Sequence, residues 1–261
     1  MTKHGQKRQL KRIAAPPLIP VPRKKGGRFI IKPHPGPHPA SRAIPLGIIL
    51  RDTLRYARTL KEAKRILNEG VIKVDGKVVK DYKYPVGMMD VIELVKTEEF
   101  YRIVPYQRRL VLHKIPKDEA RYKIARIIGK RYVKNGHIQL NLEDSRNILF
   151  KTGNEEERRK ILDTYFVGDS LMITIPDQKI IRHYHIEERK YAIITAGRHM
   201  GTHGKIQEIH KLFGPRASTV TIVTPANEHV ITALEYVLVI GEDRPEISLP
   251  TIEEIELIRR R

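Results

Sequence analysis

No carboxylate occurs in this chain before Asp52, and the fifty-one residues ahead of it carry twelve Lys and Arg. These are Lys3, Lys7, Arg8, Lys11, Arg12, Arg23, Lys24, Lys25, Arg28, Lys32, Arg42 and Arg51. A folding domain intersperses both signs of charge, whereas a one-sign block repels itself and stays extended until a polyanion neutralises it. Proline adds a second restriction. Pro16, Pro17, Pro20, Pro22, Pro33, Pro35, Pro37 and Pro39 each fix φ and remove a backbone donor. The segment can therefore build neither a long helix nor an interior strand, and it reads as an extended, polyproline-like arm. Its Leu18, Ile19, Phe29, Ile30 and Ile31 are more apolar than a solubilising tail requires. The expectation is an arm that orders against nucleic acid, with His34 and His38 free for stacking or phosphate contact. Removing residues 1–40 should then leave the remainder folded.

The net charge of the 261-residue chain is +20, unevenly spread. Beyond the arm, a second basic block at 105–134 holds 10 basic against 2 acidic groups, while the neighbouring segments are near neutral. The candidate partners are nucleic acid, an anionic membrane or an acidic protein. Membrane is the weakest, because no apolar run reaches the roughly 18–20 residues that span a bilayer. The opening MTKHGQKRQL lacks the apolar core of an export signal. With no cysteine, disulfides and thiolate metal sites are excluded, and a cytoplasmic location is expected.

Between residues 44 and 94 the pattern becomes compact. Leu46, Ile49, Leu50, Thr53, Leu54 and Ala57 follow one helical face, placing Arg51, Arg55 and Arg58 on another. Thr59-Leu60-Lys61-Glu62 is a capping box that opens a second helix. That helix buries Leu60, Ala63, Ile66 and Leu67, displays Lys61, Lys64 and Arg65, and ends at Gly70. Asp75-Gly76 between Val71–Val74 and Lys77–Val79 signals a hairpin carrying Lys73 and Lys77. Two short helices and a hairpin with basic outer faces resemble the α-L RNA-binding motif. Its matching pieces are Arg51-Asp52, Glu62-Ala63, Ile66-Leu67, Val74-Asp75-Gly76 and Asp90-Val91-Ile92.

From Arg108 to Asn141 strands are expected, with a tight turn at Asn135-Gly136 and alternation through Ile138, Leu140 and Leu142. Arg108, Arg109, Arg121, Lys123, Arg126, Lys130 and Arg131 would give this sheet a face for phosphates. The run Glu155-Glu156-Glu157-Arg158-Arg159-Lys160 reads as a solvated loop or short helix. Further on, Tyr191–Ala196 leads into a loop with Gly197, Arg198, His199, Gly201, His203, Gly204 and Lys205, followed by Ile206. Strand, glycine loop and strand resemble the KOW motif, although Met200 stands where a basic residue is frequent. A nucleotide-binding phosphate loop fails, since His199 and Ile206 occupy positions needing Gly and Ser or Thr. His199 and His203 lie on a turn, not a helix, and His183-Tyr184-His185 has no third ligand nearby in sequence. No metal is expected, and these histidines read as structural or RNA-facing.

In order, these pieces resemble the archaeal and eukaryotic form of the small-subunit ribosomal protein four family over nearly the whole chain. The likeness rests on Leu10-Lys11-Arg12, Ala14-Ala15-Pro16, Pro35-Gly36-Pro37-His38, Ile44-Pro45-Leu46, Val74-Asp75-Gly76-Lys77, Tyr84-Pro85-Val86-Gly87, Val239-Ile240-Gly241 and Ile247-Ser248-Leu249-Pro250. It departs from the family at 135–148, where an acidic, glycine-containing turn is common. The resemblance implies an α+β, predominantly β, multi-domain protein without enzymatic activity or cofactor. Its implied partners are small-subunit rRNA and neighbouring ribosomal proteins, with no membrane and no small-molecule substrate. The expected divisions are a basic extension (1–43), the α-L domain (44–104), a β-rich centre (105–176) and a KOW, SH3-like barrel domain (177–261). The alternatives are an RNA-modifying enzyme or an elongation-type factor using the same modules. A pseudouridine synthase would need a Gly-Arg-Leu-Asp-like setting and a tyrosyl-tRNA synthetase its His-x-Gly-His and Lys-Met-Ser-Lys signatures, and the chain has neither. Glu253, Glu254 and Glu256 before Arg259-Arg260-Arg261 read as a solvated end.

Overall fold

A computed structural model describes residues 9–23, 27–212 and 218–250. Lys3, Lys7, Arg8, Lys24, Lys25 and the acidic C-terminal segment lie outside the described residues. Strands dominate, arranged in three five-stranded antiparallel sheets and two short pairs.

The arm is the first departure from expectation. Its strands β1 (Leu10–Lys11) and β2 (Phe29–Ile30) pair with each other, Leu10 opposite Ile30. Ala15, Ile19, Ile30 and Ile31 are buried in the first hydrophobic core, with Leu10, Leu18 and Val21 packed beside them. The apolar residues that set the arm apart from a solubilising tail thus fold it onto its own protein. Arg12 and Arg23 close this loop by donating to the carbonyls of Gly27, Pro22 and Ile13. The amide of Leu110 donates to Leu18 O at 3.3 Å, tying the arm to the first sheet.

Strand β3 (Ile44–Pro45) pairs with β6 (Pro85–Val86), and helix α1 (Leu46–Ile48) continues as a wider π turn over Ile49–Thr53. Here the amide of Leu54 donates to Ile49 O at 2.8 Å, and Arg55 then turns left-handed at φ 60°. The expected single face with Arg51, Arg55 and Arg58 is therefore broken. Helix α2 (Leu60–Asn68) forms as the capping box dictates: Thr59 Oγ1 accepts from Glu62 N, and the Glu62 carboxylate accepts from Arg58 N at 2.8 Å. The first sheet combines β4 (Ile72–Val74), β5 (Lys77–Val78), β7 (Val91–Leu94), β8 (Glu99–Tyr106) and β9 (Arg109–Ile115), in the order β5-β4-β7-β8-β9. Asp75 and Gly76 take φ of 48° and 75°, the positive values that a tight hairpin demands. Because β8 pairs with both β7 and β9, this sheet runs past the expected boundary at 104.

The second sheet is built from β10 (Tyr122–Tyr132), β11 (Ile138–Leu142), β12 (Asn147–Phe150), β13 (Ser170–Thr174) and β14 (Ile180–Tyr184). Ile127, Leu140, Leu142, Leu171 and Ile173 form its small core, and the charged helix α3 (Glu155–Thr164) lies outside. Asn135 and Gly136 again take positive φ at the β10–β11 turn. The third sheet comprises β15 (Tyr191–Ile194), β16 (His203–His210), β17 (Thr219–Val223), β18 (His229–Ala233) and β19 (Val237–Gly241), in the order β18-β17-β16-β15-β19. A Cβ on Gly204 would lie 2.0 Å from Val223 O, so only glycine lets β16 and β17 approach here.

Candidate nucleic-acid interface

Helix α2 places its cations by spacing. Lys61, Lys64 and Arg65 stand on one exposed side while Ala63 and Leu67 are buried on the other. Arg55 and Arg58, exposed just before the helix, extend this side. The acids of the same element are engaged elsewhere: Glu62 caps the helix start, and Glu69 pairs with Lys96 at 2.6 Å. None of the ion pairs among the described residues uses Arg55, Arg58, Lys61 or Arg65. Lys64 Nζ lies 4.4 Å from the centre of the Tyr82 ring, and Lys83 Nζ approaches the same ring at 5.5 Å. A cation–aromatic platform thus adjoins the helix. Lys83 and Tyr82 were not singled out in the sequence, where no spacing rule links them to α2.

Other expected contacts have different settings. Arg51 is bidentate to Asp52 at 2.9 and 2.8 Å, and Lys73 pairs with Glu93 at 3.1 Å. Lys11, Arg28, His34, Lys77, Arg109, Arg121 and Arg131 are exposed, while Lys32 is half-buried. His34 bonds Asp81 at 2.8 Å. Lys130 donates to the carbonyls of Leu162 and Tyr165 at 2.7 and 2.6 Å, satisfying the end of α3. Arg42, Arg108 and Arg126 come from distant parts of the chain to line one cleft of about 490 Å³, with Leu18, Met88 and Leu110.

Two of the expected RNA contacts lie inside the protein instead. Lys123 is fully buried, with its ammonium at 2.8, 2.7 and 2.8 Å from the carboxylates of Asp75, Asp90 and Asp144. It cannot reach RNA. Burial pulls its pKa down, and the three negative charges more than reverse this. His38, also buried, bonds Asp90 at 3.0 Å instead of facing a phosphate. Burial lowers its pKa and the Asp90 charge and hydrogen bond outweigh that, so the net shift is upward. Arg146 completes the cluster by reaching Asp75 and Asp144. These groups join the arm, the first sheet and the second sheet. A second buried cation, Arg102, pairs with Glu119 at 3.1 Å and donates to the carbonyls of Glu119 and Tyr122.

In the glycine loop, Gly197 and Gly201 take φ of 85° and 91°. A Cβ on Gly201 would meet Tyr106 Cα at 2.5 Å, because the loop is seated on the β8–β9 turn. Met200 is buried in the first core and its carbonyl accepts from Arg108 N, which accounts for an apolar residue at that position. Arg198 and His199 remain exposed. His203 bonds Tyr191 Oη at 2.7 Å and burial lowers its pKa, while Lys205 pairs with Asp243 at 2.9 Å.

Residues 46–92, which contain the basic helix, match the S4 domain, residues 4–41 match the RS4NT (NUC023) domain, and residues 97–180 match the ribosomal family S4e. The chain is 45% identical over 251 residues to the small ribosomal subunit protein eS4 of Aeropyrum pernix, covering 96% of this chain and 98% of that one. The chain belongs to the S4e family. The eS4 protein of Methanocaldococcus jannaschii is 41% identical over 249 residues, 95% of this chain and all of its own length. A crystal structure of the 30S ribosomal protein S4e from Thermoplasma acidophilum superposes with a TM-score of 0.63 at 33% identity. It covers 77% of this chain and 96% of the other.

Proposed function

We propose that this S4e chain is a structural, non-enzymatic constituent of the small ribosomal subunit that binds rRNA directly. Arg55, Arg58, Lys61 and Arg65, exposed on the side of α2 that carries Lys64 and in none of the ion pairs among the described residues, carry this reading. Such a face neutralises phosphates and releases their counterions, so affinity falls with salt by about 0.7–0.9 log units per log unit of salt for each phosphate contacted. It reads RNA by the shape of junctions and loops rather than by base edges. Arg42, Arg108 and Arg126 round their cleft, together with exposed Arg109, Arg121, Arg131, Arg198 and His199, would add contacts from the other sheets. Neighbouring ribosomal proteins complete the partner set. The expected cytoplasmic, ribosome-bound location follows from the same role, and the third sheet with its glycine loop is read as the KOW unit.

The test is charge reversal at Arg55→Glu with Lys64→Glu, followed by gradient fractionation in moderate and high salt. Wild-type protein should stay with the small subunit through the stringent wash, and the double variant should bind rRNA at least tenfold more weakly. Its unfolding free energy should change by only about 0.5 kcal/mol, as befits exposed positions. Undiminished rRNA affinity would remove α2 from the interface.

A further inference from the structure

His183 lies on the edge strand β14 and His185 just past its end, with Tyr184 buried between them. In the antiparallel register Leu171 faces His183 and Ser170 faces Tyr184, which puts Asp169 across from His185. Asp169 is buried, and its Oδ2 lies 2.8 Å from His183 Nε2 and 2.9 Å from His185 Nδ1. The third group that the sequence could not supply for this histidine pair therefore arrives from the residue just ahead of the neighbouring strand β13. All three donor atoms lie within 4.8 Å of one another.

The convergence of two imidazole nitrogens on one carboxylate oxygen points to a cation. Phe166 N donates to Oδ2 at 3.0 Å, while His183 Nε2 and His185 Nδ1 face the same oxygen and, in the tautomers protonated on the other ring nitrogen, aim lone pairs at it. Tetrahedral bonds of about 2.0–2.1 Å place ligand atoms about 3.3 Å apart, so a small outward shift of these donors makes room for a metal. The carboxylate is already oriented by its backbone contacts, with Oδ1 accepting from Ile186 N at 3.3 Å. Aromatic rings wall the site: Tyr165 lies 4.8 Å from the His183 ring and Phe166 5.9 Å from the His185 ring. The His185 side chain is 39% exposed, which leaves an entry path and a position for water.

We propose that Asp169, His183 and His185 bind a divalent transition-metal ion, zinc best matching two imidazole nitrogens and one carboxylate oxygen. Neutral imidazoles coordinate through Nε2 of His183 and Nδ1 of His185, each keeping its proton on the other ring nitrogen. The ion cross-links β13 and β14 at the outer edge of the second sheet. None of its three ligands belongs to the proposed RNA-binding face.

The full-length chain, stripped with a chelator and then freed of it, is titrated calorimetrically with zinc chloride. One equivalent should bind saturably, and the melting temperature should rise with zinc concentration. Cobalt(II) should give the visible spectrum of a low-coordinate nitrogen and oxygen site. Asp169→Asn keeps one acceptor oxygen, enough for Phe166 N, and it should bind zinc at least about tenfold more weakly than wild type. His185→Gln, at a partly exposed position, gives the same result should Asp169→Asn fail to fold. His229→Gln should bind like wild type. No saturable uptake, or uptake equal in wild type and His185→Gln, overturns the proposal.

Discussion

Lys64 and Lys123 carry the same ammonium to opposite ends. One stands exposed over the Tyr82 ring, and the other is sealed among Asp75, Asp90 and Asp144. The outward cation costs the fold little and remains available to phosphate. The inward cation is unavailable to any partner, because it neutralises carboxylates that could not otherwise be buried. Net charge therefore overstates the surface that RNA can meet. Arg102, buried and paired with Glu119, belongs with Lys123, whereas Arg12 and Arg23 bond backbone carbonyls from accessible positions.

The comparison can be broken from the inward side. Deleting residues 1–40 strips Ala15, Ile19, Ile30 and Ile31 from the first core. At roughly 1.5–3 kcal/mol for each fully buried large aliphatic side chain, this should be the largest effect, read as a lower urea midpoint or insoluble protein. An unchanged midpoint would return the arm to the extended state that its sequence implied. Next comes Lys123→Met, which leaves three buried carboxylates facing only Arg146 and His38. About 3–5 kcal/mol should be lost in urea unfolding, as for other broken buried pairs. A loss no larger than that of Lys64→Met would erase the distinction between the two lysines.

The smallest effect sharpens the comparison through pH. The folded pKa of His38 lies above its unfolded value of 6.5, through Asp90 with help from Asp144 and against Lys123. Its contribution is complete below that unfolded value and is lost as pH rises through the folded one. His38→Gln should therefore cost more stability at pH 6 than at pH 9, measured by urea unfolding at each pH. An equal cost at both would mean that the imidazolium is not what Asp90 holds.

Local geometry was legible in the sequence, and destination was not. Asp75-Gly76 and Asn135-Gly136 announced their turns because positive φ is a property of those residues themselves. Thr59 and Glu62 announced α2 for the same reason, since a cap spans one turn. Lys123, by contrast, meets partners 33 and 48 residues away, and nothing in its neighbourhood distinguishes it from Arg121 or Arg126. Met200 looked like a lapse from a basic position until the β8–β9 turn beneath its loop explained it. In the arm, the apolar residues outweigh the charge and pack it onto the first core. At the first helix, alternating apolar and basic positions implied a continuous spiral, and the π turn at Ile49–Thr53 rotated Arg51 away toward Asp52.

The Lys123 cluster also has a consequence for synthesis. Asp75 and Asp90 emerge from the translating ribosome before Lys123, and Asp144 and Arg146 follow later still. Until Lys123 emerges, Asp75 and Asp90 have only His38 among the cluster's cations, and their side of the junction must stay wet. The amino-terminal portion can gather its apolar residues early, but it can lock against its neighbour only after residue 146 has left the tunnel. The order of translation thereby sets the order of closure.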